Sequence, residues 1–273
     1  MDVKRHRLHL DDGTPVPFRR SPNQSTGTIT PRFLVFHYTA GGSAESTINW
    51  LCDKRAKASA HLVVGRDGSI TQLVDFNRKA WHAGASTWRG VTGLNSHSIG
   101  IELANVGPLQ KTGEIWRSAW GNTIADHQVV VATHPHENHE RGWEAYPAEQ
   151  LRVARQLALT LVTKYGLEEV VGHQDIAPGR KLDPGPAFPL DGMAALVRGR
   201  GAEEGDLKSV TASLLNIRTG PGTDFDKVDG GPLPEGTFVK GLAQADGWQY
   251  VEVIDDGGTT RRGWVVSRYL RPV

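Results

Sequence analysis

The sequence GHQDIAPGRKLDPGPAF, residues 172–188, decides how the rest of the chain is interpreted. It places His173, Lys181 and Asp183 in a segment so rich in proline and glycine that a regular helix is excluded. A turning loop of this kind can direct several side chains to one point when rigid elements flank it. The stretch, called here the 172–188 loop, is therefore predicted to be functional.

The segments before this loop predict rigid elements that end at histidines. LRVARQLALTLVTKY, residues 151–165, has the apolar spacing of a helix, and EEVV, residues 168–171, is typical of a short buried strand. Another apolar run, residues 33–36, ends at His37. Two strands that each lead to a histidine, with Asp183 on the adjoining loop, offer the ligands of a zinc site. Spacing alone leaves open a purely structural role for these histidines.

The 172–188 loop resembles a segment of the zinc-dependent N-acetylmuramoyl-L-alanine amidases of the type-2 amidase fold, which is shared with animal peptidoglycan recognition proteins. Similar segments occur in the family's order, namely FHYTAGG (36–42), SAHLVVGRDGSITQLV (59–74), AWHAGAS (80–86) and SIGIELAN (98–105). The resemblance covers roughly residues 30 to 190. It implies an α/β fold with a mixed central sheet flanked by helices, and hydrolysis of the amide between N-acetylmuramic acid and L-alanine.

The same resemblance implies one Zn²⁺ held by His37, His173 and Asp183, with Glu102 and Lys181 as the catalytic pair. The chemistry of the residues agrees with these roles. A lysine close to a ligand aspartate can stabilise the negative charge that develops on an amide oxygen. A carboxylate near the attacking water can carry a proton to the leaving amine.

Three further residues are assigned to the substrate site. The resemblance implies that His82 lines the substrate groove, and the neighbouring Trp81 suits a groove wall for sugar and peptide. It places His61 near the site but not on the metal, as a structural or outer residue. Some relatives carry a tyrosine before that histidine; this chain has Ala60 there.

Two aromatic stretches outside these motifs carry expectations of their own. In the helix predicted within residues 43–57, Trp50 and Leu51 are expected to face the core. HPHENHERGWEAYP, residues 134–147, has the Pro, Asn and Gly content of a surface loop, here expected to border the groove. Its three histidines are interpreted as loop residues in preference to a second metal site.

Short strand-like segments alternate with turns after residue 206, which predicts a small all-β domain. LNIRTGPGTDF, GWQYVEV and GWVVSRYL resemble the bacterial SH3-like barrel that accompanies cell-wall hydrolases and commonly binds wall peptide or glycan. The predicted organisation is an N-terminal arm (1–30), a catalytic domain (31–198), a linker (199–206) and this barrel (207–273), with Trp264 expected in its core.

The composition of the chain limits the classes of molecule that it is expected to bind. The 273 residues carry 31 Lys and Arg against 30 Asp and Glu, a net charge of +1, so no nucleic-acid partner is expected. A single cysteine excludes an intramolecular disulfide, and no apolar run has transmembrane length. We expect a monomer that acts on peptidoglycan or muropeptide. It would be made in the cytoplasm without a classical signal peptide and reach the wall by lysis or a non-Sec route.

Three alternatives stay open at this stage. The first is a cytoplasmic amidase that recycles anhydro-muropeptides. The second is a non-catalytic peptidoglycan receptor on the same fold. The third is a different metallohydrolase that cuts stem peptides, although no HExxH helix motif is present.

Overall fold

A computed structural model describes residues 1–198, 207–245, 247–254 and 261–272. The chain divides into two compact units, Met1–Leu190 and Asp191–Val273. The boundary falls at the start of the helix Leu190–Arg198, whereas the sequence places it after that helix. The predicted linker, residues 199–206, lies outside the described residues.

The first unit contains three helices and fourteen strands among its named elements. In chain order they are β1 (Asp2–Lys4), β2 (Arg7–His9), β3 (Phe33–Tyr38), α1 (Ala44–Leu51), β4 (Leu62–Val64), β5 (Ile70–Gln72), β6 (Thr87–Trp88), β7 (Val91–Thr92), β8 (Ser98–Leu103), β9 (Pro108–Thr112), β10 (Ile115–Ser118), β11 (Thr123–Ile124), β12 (Val129–Thr133), β13 (Glu140–Glu144), α2 (Ala148–Tyr165), β14 (Glu169–Gly172) and α3 (His173–Ile176).

A mixed five-stranded sheet in the order β14-β3-β8-β4-β5 forms the centre of this unit, as predicted. The first four strands are parallel, and β5 returns antiparallel through the Asp67-Gly68 turn. Register brings His37 on β3 beside Glu102 on β8. His173 begins α3 immediately after β14, at the same end of the sheet. The carboxyl ends of neighbouring parallel strands therefore deliver all three side chains to one edge, where such sheets commonly bind ligands.

Two helices cover the sheet. Helix α2 buries Val153, Leu157 and Leu161, which recur at helical spacing. Helix α1 begins at the N-cap Ser43, whose side chain accepts a hydrogen bond from the Ser46 amide. It buries Thr47, Ile48 and Leu51. The expectation that Trp50 would also face the core is wrong: it lies beside this buried stripe and is 53 % exposed.

The first thirty residues differ from the extended arm expected from their polar composition. Strands β1 and β2 form an antiparallel hairpin, and the Leu8 side chain is fully buried. The Leu8 amide donates to the Gln72 side chain at 3.0 Å, and Gln72 in turn donates to the His6 carbonyl at 3.0 Å. This segment is therefore packed against the edge of the central sheet at β5.

Residues 108–144 form a second five-stranded sheet, in the order β11-β10-β9-β13-β12, which the sequence does not predict. Its strands are short, and polar residues alternate irregularly along them, so periodicity gives little signal. The expected surface loop is also wrong in part, because Trp143 on β13 is buried and His134 is fully buried. The sheet contacts the 172–188 loop, since a Cβ at Gly185 would lie 2.9 Å from the Trp143 ring.

The second unit contains the strands β15 (Leu207–Val210), β16 (Leu214–Leu215), β17 (Leu233–Pro234), β18 (Phe238–Ala245), β19 (Trp248–Val253), β20 (Arg262–Val266) and β21 (Leu270–Pro272). Apart from the helix at its start, the described part of this unit is built from strands from residue 207 on, as predicted: five of them form an antiparallel sheet in the order β20-β19-β18-β15-β21. Its core contains Val239, Val251 and Val265. Trp264, expected in this core, is half-buried and packs against Tyr250 at a ring distance of 5.3 Å.

None of the helices in the described part of the chain combines the length and apolar character that a membrane span requires.

The burial of Leu8 predicts that the N-terminal hairpin is part of the core of the first unit. We expect Leu8→Ala to lower the free energy of unfolding by about 2–5 kcal/mol, because it removes a fully buried side chain and leaves a cavity. Leu10→Ala is the matched control, since Leu10 is 38 % exposed. Urea unfolding of both variants measures the difference; equal, small effects would show that the hairpin is not part of the core.

Candidate metal centre and substrate cavity

Three buried side chains converge at the carboxyl edge of the central sheet. The Nδ1 atoms of His37 and His173 lie 2.9 Å apart, and each lies 2.9 Å from Oδ2 of Asp183. Among the residues that the structure describes, these three form the one cluster of histidine, cysteine or carboxylate side chains arranged to hold a metal ion. The structure thus brings together the three predicted ligands, and the histidines of 134–139 form no such cluster.

The ring nitrogen of His37 that faces away from the cluster is held by His82. His37 Nε2 lies 2.9 Å from His82 Nδ1, and His82 Nε2 lies 3.2 Å from Oγ of Ser98. The Ser98 hydroxyl donates to the Leu94 carbonyl at 2.6 Å, so it is available to His82 only as an acceptor. His82 therefore donates to Ser98 and accepts from His37. This fixed direction leaves His37 Nδ1 without a proton, as a metal ligand requires.

His173 is oriented in the same way by a backbone group. Its Nε2 lies 3.0 Å from the carbonyl oxygen of Ala83, an acceptor that requires a proton on Nε2. The lone pair of His173 Nδ1 then points into the cluster. The Ala83 amide is itself bound to the Asn95 side chain at 2.7 Å, which fixes the position of this carbonyl. Both histidines are consequently prepared to bind a cation through Nδ1.

Burial and neighbouring charges perturb the pKa values of the cluster. Burial, reinforced by His173, lowers the pKa of His37 to about 4, although Asp183 opposes this shift. For Asp183, burial alone would raise the pKa, but the adjacent imidazoles of His173 and His37 outweigh this effect and hold the pKa well below its usual value. At neutral pH His37 is therefore a neutral imidazole and Asp183 a carboxylate.

Glu102 and Lys181 lie on the same cavity as the cluster. The Oε2 atom of Glu102 is buried and has no hydrogen-bond partner. Burial raises the pKa of Glu102 well above its usual value, the charge of Asp183 adds to this effect, and Lys181 opposes it. A buried carboxylate oxygen without a partner is costly unless a ligand occupies the space in front of it.

The residues present fit a zinc ion. Zinc in catalytic sites typically takes three protein ligands of the nitrogen and oxygen type and keeps a fourth position for water. Two imidazoles with fixed outer partners and one ionised carboxylate supply that set. The unpaired oxygen of Glu102 lies in the same cavity, where a polar ligand could reach it.

The cavity has a volume of about 730 Å³ and extends from the cluster to the side chains of α1 and β10–β11. Trp81 and His82 both line it, as expected for the substrate groove. His82 has a second role that the sequence did not reveal, because both of its ring nitrogens hold protein groups. Trp81 is held by a hydrogen bond from its Nε1 to Ser25 at 3.0 Å.

The structure contradicts a substrate-binding role for His61. Its side chain is fully buried and does not line the cavity. Its Nδ1 accepts a hydrogen bond from the Gly100 amide at 3.0 Å, and its Nε2 donates to the Arg78 carbonyl at 2.9 Å. With both nitrogens bound to backbone groups, His61 holds β8 to the segment that follows β5.

Sequence reasoning missed the residues that support the cluster. The Ser98 hydroxyl accepts a hydrogen bond from His82. The Asn95 side-chain oxygen accepts hydrogen bonds from the backbone amides of His82 and Ala83. Gly100 makes room for the imidazole, since a Cβ there would lie 2.4 Å from the His82 ring. Ser98 and Gly100 share a strand face with Glu102, so the alternation of β8 was the one available signal.

Comparison with known proteins identifies the family. The family model described as N-acetylmuramoyl-L-alanine amidase matches residues 27–186, more than half of the chain. The chain belongs to this amidase family. The matched residues include the three members of the cluster, together with Glu102 and Lys181.

Individual relatives agree with this membership. The N-acetylmuramoyl-L-alanine amidase AmiD of Escherichia coli K12 is 38% identical over 172 residues, which are 60% of this chain and 52% of the relative. The 1,6-anhydro-N-acetylmuramyl-L-alanine amidase AmpD of Salmonella typhimurium SL1344 is 33% identical over 143 residues, 52% of this chain and 58% of the relative. The chain thus spans about half the length of these curated relatives.

Among solved structures, that of Escherichia coli AmiD in complex with the substrate anhydro-N-acetylmuramic acid-L-Ala-D-γ-Glu-L-Lys is similar to this chain. The TM-score is 0.47 and the identity 31%, with 69% of this chain and 65% of the other covered.

The environment of His61 predicts how stability depends on pH. Burial lowers the pKa of His61 to about 4, against about 6.5 in an unfolded chain. Between pH 4 and pH 6.5 the unfolded chain binds more protons at His61 than the folded protein does. The contribution of neutral His61 to the free energy of unfolding is therefore fully present above pH 6.5 and is lost as the pH falls towards 4. We expect ¹⁵N NMR of the folded protein to show His61 as the neutral Nε2–H tautomer from pH 8 to 5. Titration of His61 near pH 6.5 would contradict this environment, and the urea-unfolded chain is the control.

Proposed function

We propose that this chain is a zinc-dependent N-acetylmuramoyl-L-alanine amidase that hydrolyses the amide between N-acetylmuramic acid and L-alanine in peptidoglycan. One observation carries the proposal. In a chain of this family, His37, His173 and Asp183 converge, and the outer ring nitrogen of each histidine is fixed by a hydrogen bond. The cavity beside them also contains Lys181 and a Glu102 oxygen that has no hydrogen-bond partner. A site with ligands, a proton carrier and a cation has the parts required for amide hydrolysis.

Each residue has a role that follows from its surroundings. A zinc ion bound by His37, His173 and Asp183 would supply Lewis acidity and make hydroxide available near neutral pH. The Glu102 carboxylate accepts a proton from the attacking water, whose oxygen forms a bond to the amide carbon. Glu102 then donates this proton to the amide nitrogen as the carbon–nitrogen bond breaks, and the peptide leaves with the α-amine of its first residue, L-alanine, free.

Lys181 supplies the positive charge for the developing oxyanion. It lines the cavity, and its charge influences the pKa of both Glu102 and His37, so it lies within electrostatic range of the reacting groups. As the carbonyl oxygen gains negative charge, attraction to the Lys181 ammonium increases, which favours the transition state over the bound substrate.

For the physiological substrate we propose intact wall, with cytoplasmic recycling of anhydro-muropeptides as the alternative. The second unit supports wall binding, because its small antiparallel sheet carries sequence similar to SH3-like wall-binding domains. The names of the AmpD relatives, which act on 1,6-anhydro compounds, favour the alternative. The proposed enzyme is made in the cytoplasm, acts as a monomer and reaches the wall through lysis or a non-Sec route.

The catalytic assignment is tested by separating metal binding from turnover. We expect His173→Ala to lose bound zinc and activity together, because it removes a ligand. Glu102→Gln should retain zinc and lose turnover by about a hundredfold or more, since an amide cannot carry the proton. Zinc is measured by elemental analysis, and activity by mass spectrometry of stem peptides released from sacculi, with and without chelator.

Glu114→Gln is the matched control for Glu102→Gln, because the Glu114 side chain is 97 % exposed and lies outside the cavity. Near wild-type turnover in Glu102→Gln would remove Glu102 from the mechanism. Activity that persists in metal-free His173→Ala would contradict the zinc site itself.

The hydrogen bonds around His37 generate a further prediction about metal affinity. His82→Phe removes the acceptor for His37 Nε2–H, and we expect a roughly 10–100-fold weaker affinity for Zn²⁺. His82→Gln keeps an acceptor and should lose less. His97→Ala is the control, since His97 lies beside Ser98 but does not line the cavity. Competition with a chromophoric chelator measures the dissociation constants, and unchanged affinity in His82→Phe would show that His82 does not orient the ligand.

A further inference from the structure

Two tryptophan side chains on the cavity wall are exposed to solvent. Trp50 on α1 is 53 % exposed and Trp120, between β10 and β11, is 72 % exposed, yet both line the cavity that contains the metal cluster. Large aromatic side chains contribute most to stability when they are buried, so exposed indoles at a concave site indicate a ligand surface.

Trp120 is held in its exposed position by hydrogen bonds. Its Nε1 donates to the Ala40 carbonyl at 2.5 Å, in the turn that follows β3 and therefore follows His37. The turn that carries Trp120 is closed at both ends: Gly121 donates to the Ser118 carbonyl at 2.9 Å, and Ser118 donates to the Asn122 carbonyl at 2.9 Å. The indole edge is thus anchored while the ring remains exposed.

Trp50 is presented by a rigid helix. Thr47, Ile48 and Leu51 are the buried residues of α1, which fixes the orientation of this short helix and directs Trp50 away from the core. Ser46, Thr47 and Gly41 also line this cavity. The Ser46 and Thr47 hydroxyls both donate to the Ser43 carbonyl, at 2.9 and 3.0 Å, so towards a ligand they act as uncharged acceptors.

The cationic residues of the cavity wall come from a different segment of the chain than the two tryptophans. Arg180 and Lys181, its cationic residues, both belong to the 172–188 loop that carries Asp183. The groups contributed by α1 and by the β10–β11 turn are indoles and hydroxyls. Such a surface suits a neutral polyhydroxyl ligand, whose C–H faces stack on indole rings and whose hydroxyls bond to Ser and Thr, better than it suits a charged peptide.

We propose that Trp50 and Trp120 form a saccharide-binding subsite that holds sugar residues of the glycan strand beyond the muramoyl residue whose amide is cut. This inference rests on the proposed amidase function. If it holds, the protein prefers a polymeric glycan substrate to a single muramoyl peptide. This preference would arise in the first unit, Met1–Leu190, which contains both tryptophans.

The test compares two substrates that contain the same amide, a monosaccharide muramoyl peptide and a glycan strand of at least four sugars bearing the same peptide. Trp50→Ala and Trp120→Ala should each raise KM for the glycan strand by about threefold to tenfold, the range expected for one aromatic contact. The kcat values, and KM for the monosaccharide, should not change. Ile115→Ala is the matched control, because Ile115 is an exposed residue of β10 outside the cavity.

A second variant distinguishes stacking of a sugar on the Trp120 ring from the hydrogen bond between Trp120 and the Ala40 carbonyl. Trp120→Phe keeps an aromatic face and loses the hydrogen bond to the Ala40 carbonyl. We expect it to retain most of the glycan preference. If Trp120→Phe behaves as Trp120→Ala does, or if both substrates are affected equally, the tryptophan acts on the loop after β3 and the subsite is overturned.

Binding without catalysis gives an independent readout. A peptide-free glycan strand should quench tryptophan fluorescence of the chelator-treated protein, and the double variant Trp50→Ala/Trp120→Ala should lose this response. Absence of quenching in the wild-type protein contradicts the subsite. If the wild-type protein binds glycan but cleaves neither substrate, the amidase function fails while the subsite stands. If it cleaves both and the variants match wild type, only the subsite fails.

Discussion

The direction of two hydrogen bonds determines whether this site can hold a cation. Three lone-pair-bearing atoms lie 2.9 Å from one another in a buried environment, which is unfavourable unless a positive species joins them. The Ala83 carbonyl and the His82–Ser98 pair place the imidazole protons on the outer nitrogens of His173 and His37. Much of the surrounding structure serves to fix these two acceptors, including the Asn95 side chain and the space left at Gly100.

The sheet formed by residues 108–144 and the residues beside it provide a second support for the 172–188 loop. Trp143 packs on Gly185, and the Tyr146 hydroxyl donates to the Pro184 carbonyl at 2.8 Å. Gln174, near the start of the loop, contacts both regions through its Oε1 atom. This oxygen lies 3.0 Å from Nε2 of His134, next to β12, and accepts a hydrogen bond from the Gly185 amide at 3.1 Å. The loop was expected to lack helix, but it begins with the single helical turn α3, and beyond that turn these contacts hold Asp183 in a fixed position, as a preorganised ligand set requires. The turn between β10 and β11 of the same sheet also carries Trp120, one of the two tryptophans of the proposed saccharide subsite.

Sequence patterns predicted the parts of this structure that repeat regularly. The central strands, helix α2 and the turn at Gly68 follow from apolar periodicity and turn chemistry. The ligand cluster followed because parallel strands end at one edge. Periodicity could not predict the 108–144 sheet, whose short strands are stabilised by contacts distant in sequence, such as Trp116 over Gly142. Nor could it separate His61 from His82, since their difference lies in which acceptors surround each ring.

The two carboxylates of the site illustrate how position assigns chemistry to identical groups. Asp183 lies 2.9 Å from the Nδ1 atoms of two imidazoles, which hold its pKa below the usual range and keep it ionised, ready to bind a cation. Glu102 is held beside it by the pairing of β8 with β3, but it lacks such partners, so burial and the charge of Asp183 raise its pKa. A cation bound at Asp183 would oppose that field and favour the ionised form of Glu102. Occupation of the ligand cluster would therefore prepare Glu102 to accept a proton, and the pKa difference between the two carboxylates supports the proposed roles of Asp183 as ligand and Glu102 as acid–base catalyst.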